Sequence, residues 1–386
     1  MLRRIRQSLL LAATVAGLCV RLAAQSSTDP VATPAAVPPA ASPADSSKDP
    51  ALKLRPPPKP EDAVREGSMH LDVVVTDASG KPVSGLGLKD FKLIDNKQAR
   101  PILSLRASDD ATPATLRKGD APPQLILLLD TVNLPLNQVA FVREQTEKFL
   151  LENGGRLALP TSIYLFTEGG LHVAPGFSRD GNALAAIVNQ IQPSIRTIKS
   201  SQGADADLQR FQLSLREMMN IADNNAAKPG RKLLVWIGPG WPMLESNNFA
   251  FSSADQARYF SAITGLSARL REARIALYSV SGVTTGNGAL QYKAYLKGVT
   301  SASRADTGNL ALKVLAVQSG GRAIDPDNDL AGQIAKCVAD AAPFYTITFD
   351  PPKAEHVDEY HDLKIQIDRP NLTARTNTGY YDEPYK

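Results

Sequence analysis

The residues with the most chemical potential stand at the end of an apolar run. Residues 124–129 read Gln-Leu-Ile-Leu-Leu-Leu and close on Asp130, with Thr131 and Asn133 just beyond. A carboxylate there has two uses. It can join the oxygen shell of a hard divalent cation. It can also accept backbone N–H bonds and cap the loop that follows. A second loop, Gly238-Pro239-Gly240-Trp241, follows the apolar residues 232–237. It is glycine-rich, but Pro239 removes an N–H that a phosphate cradle would use.

Other constellations fall short of a site. Asp325-Pro-Asp-Asn-Asp329 starts like a calcium loop, yet Leu330 stands at the sixth place and Lys336 at the twelfth. A turn with an N-cap at Asn328 or Asp329 is expected instead. His70, His172, His356 and His361 make no helical pair and have no cysteine cluster beside them, so zinc is not expected. No Gly-x-Ser-x-Gly elbow and no P-loop occurs. Cys337, beside Ile334 and Val338, reads as a buried and inert thiol. No cofactor is expected.

The elements that must position Asp130 alternate. Buried strands are read at 124–129, 162–166, 232–237 and 275–280, with shorter ones at 171–173 and 322–324. Helical spacing covers 137–151, 183–191, 208–221, 254–271, 310–317 and 330–339. The alternation predicts an α/β fold with a doubly wound, Rossmann-like sheet over 121–342. Residues 67–107 and 343–381 instead show strand periodicity, as in Leu71, Val73 and Val75 and in Leu363, Ile365 and Ile367. Neither stretch can bury its apolar face alone. Together they are expected to form one flanking β-sandwich module.

The start of the chain gives an address. Arg3, Arg4 and Arg6 precede an apolar run over residues 9–20, and Ala23-Ala24 offers small residues for cleavage. Residues 1–24 are read as a signal peptide, implying an exported protein, periplasmic or extracellular. Residues 25–66 are rich in Pro and Ala and read as a disordered linker. The leader holds four arginines and no acid, so its removal leaves 39 basic and 39 acidic residues. That balance gives no reason to expect nucleic acid or an anionic membrane as partner, and no transmembrane segment is expected after cleavage.

Several stretches, in order, resemble the von Willebrand factor A-like (vWA) family, in the form common among acidobacterial secreted proteins. They are Leu125 to Asp130, Pro229 to Ile237, Ala273 to Val280, Gly320-Gly-Arg-Ala323 with Asn328-Asp-Leu330, and Phe344 to Thr348 closing at Gly379-Tyr-Tyr381. The resemblance covers roughly residues 67–381. It implies a vWA domain whose metal-ion adhesion site reads Asp-x-Ser-x-Ser after the first strand. Here Asp130 matches, but Val132 and Leu134 stand at the serine positions. The loop that normally ends Thr-Asp-Gly reads Gly238-Pro239-Gly240, and Thr197 or residues 203–207 would have to supply the remaining threonine.

The expectation is therefore a degenerate site with no resident metal; any Mg²⁺ would rest on Asp130. Partner binding is assigned to the rim formed by Asp130, Thr131, Asn133, Gly238 and Trp241, near Pro242 and Met243. Trp241 is either an exposed anchor or tucked under the next helix. The function expected is non-enzymatic protein interaction, adhesion or scaffolding, with an unidentified protein or cell-envelope component as partner. A metal-dependent adhesin with a remodelled site and a hydrolase using Asp130 are the alternatives.

Overall fold

The computed structural model describes residues 67–108, 121–191, 197–198, 203–242, 252–282 and 291–382. The expected leader and linker, and Met243, lie outside them.

The central sheet is built from β5 (Gln124–Asp130), β6 (Arg156–Thr167), β7 (Gly170–Val173), β8 (Ser178–Asp180), β9 (Lys232–Ile237), β10 (Ile275–Val280) and β11 (Arg322–Ala323). Its order is β11-β10-β9-β5-β6-β7, with β8 also on β6. The pairs from β11 to β6 are parallel, and β7 and β8 run antiparallel to β6. Both faces are covered, which is why the inner strands are mostly apolar. Leu125, Leu127 and Leu129 enter one core with side chains of α1 (Val139–Gly155), α2 (Gly181–Asn189) and α6 (Leu330–Val338). Ile126 and Leu128 enter the other, with α3 (Ala204–Ala226), α4 (Ser253–Glu272) and α5 (Leu312–Gln318).

Three elements differ from the sequence reading. β6 begins at Arg156 rather than 162, because its first part pairs with β8 at Arg156–Asp180 and Thr161–Ser178. α3 is longer at both ends than residues 208–221. The helix read over 310–317 divides: Asp306 caps a 3-10 turn, Thr307–Leu310, by accepting from Gly308 N at 2.9 Å, and α5 starts afresh at Leu312.

The remaining strands form two antiparallel sheets. One is ordered β14-β1-β12-β4, with β1 Met69–Thr76, β4 Ser104–Ala107, β12 Tyr345–Phe349 and β14 Thr373–Arg375. The other is β15-β13-β2-β3, with β2 Phe91–Asp95, β3 Gln98–Arg100, β13 Glu359–Ile367 and β15 Gly379–Asp382. Met69 pairs with Phe349 and Leu363 with Asp95, so each sheet mixes strands from both ends of the chain. Leu71, Val73, Phe91, Leu93, Ile347 and Ile365 share the core between them. Asn96 and Lys97 take φ of 46° and 68°, turning the β2–β3 hairpin. Arg274, just before β10, grips Asp72 of β1 through Nη2 at 2.6 Å and Nε at 3.1 Å, fastening this module to the central sheet.

Candidate functional site

Asp130 ends β5 and is fully buried. Its Oδ1 accepts from Val132 N at 3.0 Å and Asn133 N at 2.9 Å. Its Oδ2 accepts from Asn133 Nδ2 and Trp236 Nε1, each at 2.9 Å. An ionised carboxylate has about four acceptor positions, and all are engaged by donors of this chain. Burial pushes the carboxyl up, against the pull of Asn133, Trp236 and Val132. Only donors face it, so the loop is built around the ionised form.

The flanking side chains explain why the loop closes this way. Val132 packs into the core under α3 and α4, and Leu134 into the core under α1 and α2. Both are 2% exposed. These two side chains plug the sheet end on opposite faces. Thr131 spends its Oγ1 on Phe166 O at 2.7 Å. Asn133 Nδ2 also donates to Ser214 Oγ at 3.1 Å, and its buried Oδ1 finds no donor among the described residues.

Gly238 lies directly over Asp130. Its φ is +154°, and a Cβ there would stand 2.9 Å from the Asp130 Cβ. Its N–H bonds Val280 O at 2.9 Å, tying the loop to β10. Glycine is required by this approach of two strand ends, with no phosphate to explain it.

The predicted rim is corrected in one respect. Trp241 is 5% exposed, its Nε1 donates to Leu310 O at 3.0 Å, and its ring sits edge-on to Trp236 at 5.3 Å. Gly240, at φ +77°, folds the loop back until Leu312 lies against it, and this buries the indole. Asp130, Thr131 and Gly238 are buried too, and Asn133 is half-buried. The structure brings the five residues together but leaves little of them at the surface. Among the described residues beside this site, Pro135, Leu136 and Asn137 are exposed, with Pro239 and Pro242 half-exposed. Leu136 is 51% exposed.

The other sequence candidates bond to other partners. Thr197 gives its N–H and Oγ1 to Glu168 Oε2 at 2.6 and 2.7 Å, after β6. Asp329 caps α6, accepting from Gly332 N at 3.2 Å. Among the described residues no group of three His, Cys, Asp or Glu side chains could hold a metal ion. Cys337 is buried, and burial pushes its thiol up. No helix among the described residues is long and apolar enough to cross a membrane.

A cluster that the sequence reading missed lies in the β-module. His361 Nδ1 and Asp95 Oδ1 are 2.9 Å apart, and Tyr380 OH donates to Asp95 Oδ2 at 2.9 Å. The His361 and Tyr380 rings stack at 4.7 Å. All three are buried, and His361 Nε2 is 3.6 Å from Glu359 Oε1. Burial would lower the imidazole pKa, but the Asp95 hydrogen bond and charge, with Glu359 and Asp382, outweigh it and raise it. Strand parity carried the signal: Leu93 and Asp95, and His361, Leu363 and Ile365, face inward together.

No family model matches the chain, and neither does any curated protein. Among solved structures, 70% of the chain is similar to the pilus adhesin SpaC from Lactobacillus rhamnosus GG in its open conformation, at 10% identity and a TM-score of 0.35. The chain spans 40% of that adhesin. A point mutant of the PilB minor pilin from Streptococcus sanguinis is similar over 70% of this chain and 88% of its own, at 11% identity and a TM-score of 0.33. The manganese-loaded TRAP protein of Plasmodium vivax is similar over 77% of this chain and all of its own, at 8% identity and a TM-score of 0.31.

Proposed function

We propose that this chain is an exported, non-enzymatic vWA-type module that binds a protein or cell-envelope partner without a metal ion. The observation that carries this reading is the saturation of Asp130: four protein donors occupy its two oxygens, leaving none for a cation or a substrate proton. The parallel order from β11 to β6, helix-covered on both faces, supports a doubly wound, Rossmann-like domain. The basic-then-apolar start of the sequence supports export. The hydrolase alternative loses its acid, because Asp130 is sealed beneath Gly238.

The contact surface shifts with the burial of Trp241. Leu136, flanked by exposed Pro135 and Asn137, replaces it as the apolar anchor at the sheet's C-terminal end. The test is capture from envelope extract, with and without chelator, by the wild type and by Leu136→Asp. The reading expects one partner that is retained in chelator and lost in the variant. Loss of that partner in chelator, restored by Mg²⁺ or Mn²⁺, would favour the adhesin alternative.

A further inference from the structure

The opposite end of the parallel strands holds a cleft that the Asp130 site does not use. Arg231 stands before β9, Arg274 before β10 and Arg271 at the end of α4. They meet His70 and Asp72 of β1, and Asn377, around a small cleft that opens to solvent.

The charges in this cleft do not cancel. Asp72 is taken by Arg274 through both oxygens and by Thr346 Oγ1 at 2.9 Å. Arg231 is 2% exposed; its Nη1 donates to the carbonyl of Asp340 at 2.6 Å, and its guanidinium lies over Phe344 at 5.1 Å. Neither contact neutralises it. The Asp340 carboxylate is engaged by Arg375, with Arg322 at 4.0 Å. Arg271 makes no ion pair among the described residues; burial works against its charge, and the more distant carboxylates of Glu272 and Asp382 offset this in part. The Nε atoms of Arg231 and Arg271 are both buried without an acceptor among those residues. A buried cation without a counter-charge is costly. The neighbours sense the excess: His70 is held below its usual range by burial and then by Arg274, and Lys232 is pulled down to about 8 by burial, Arg274 and Lys228.

We propose that this cleft binds a small oxyanion, of the phosphate or sulfate type, between the guanidiniums of Arg231 and Arg271. A guanidinium suits the task, because its fixed fork of donors matches paired oxygens and is charged at every relevant pH. The cleft lies where the β-module meets the central sheet, so an anion there would also join the two parts.

The experiment is titration of the full chain with sodium phosphate and with sodium sulfate, against sodium chloride at equal ionic strength, by calorimetry and thermal unfolding. Saturable binding with a raised unfolding midpoint is expected for the oxyanions and not for chloride. Arg271→Gln should weaken the binding at least about tenfold, the loss of one charge-assisted contact, with its midpoint in chloride kept near wild type. Arg271→Lys, which keeps the charge and loses the fork, should fall between, and it serves if Arg271→Gln does not fold. Equal midpoint shifts in phosphate and chloride, or equal responses in wild type and the variants, would overturn the proposal.

Discussion

The indole Nε1 of Trp236, near the end of β9, donates to the Oδ2 of Asp130 at the end of β5, 2.9 Å away. Two adjacent strands thus share a buried bond at the C-terminal end of the parallel strands. Asp130→Ala strands four donors, three of them in its own loop. It should cost about 4 kcal/mol in denaturant unfolding. Asp130→Asn, which turns a donor toward donors, should cost about half of that.

Placing hydroxyls at positions 132 and 134 should not create a metal site. Val132→Ser and Leu134→Ser each remove a buried side chain and should cost about 2 kcal/mol. With Asp130 still saturated, the double variant should show no rise in unfolding midpoint in millimolar Mg²⁺, Ca²⁺ or Mn²⁺. A metal-dependent rise in the wild type would refute the saturation argument itself.

Gly238→Ala should destabilise by about 2–3 kcal/mol. The added Cβ meets Asp130 at 2.9 Å on a backbone at φ +154°. Circular dichroism melts of this variant beside Gly80→Ala would separate the contact from the strain. Gly80 also has positive φ, but a Cβ there meets nothing within 4 Å.

His361 should give the β-module a pH dependence. Its folded pKa is raised, so the stabilisation it gives is complete below the unfolded value, near 6.5, and is lost as pH climbs through the folded value. Stability measured from pH 6 upward should therefore decline. His361→Gln should flatten that slope and, by leaving buried Asp95 with only Arg100 at 4.0 Å as a cation, cost roughly 3 kcal/mol at pH 6. A slope unchanged in the variant would show that another group titrates.

Much of the architecture could be read from periodicity because the strands differ in what covers them. β5, β9 and β10 are buried on both faces and appear as unbroken apolar runs; β9 and β10 occupy the residues read for them. β13 faces a core on one side only, so Leu363, Ile365 and Ile367 alternate with polar residues. Asp130 could be found for the same reason, as the polar stop to an apolar run. The fate of Trp241 could not, because it depends on Gly240 turning the chain onto α5, a contact some 70 residues away in sequence. β8 escaped notice because three residues carry too little pattern. The Asp95–His361 pair was hidden by its separation of 266 residues, although each partner's parity marked it as inward-facing.

The strand pairing of Met69 with Phe349 sets an order of assembly. During synthesis β1 must wait, without its partners β12 and β14, while the whole central sheet emerges behind it. Closing so large a loop through an unstructured chain is slow and entropically costly; a sheet that has already folded brings its own two ends together and shortens the search. The central domain thus acts as a template for the module that encloses its termini. A ribosome stalled before residue 345 would hold a folded core trailing an exposed, aggregation-prone strand.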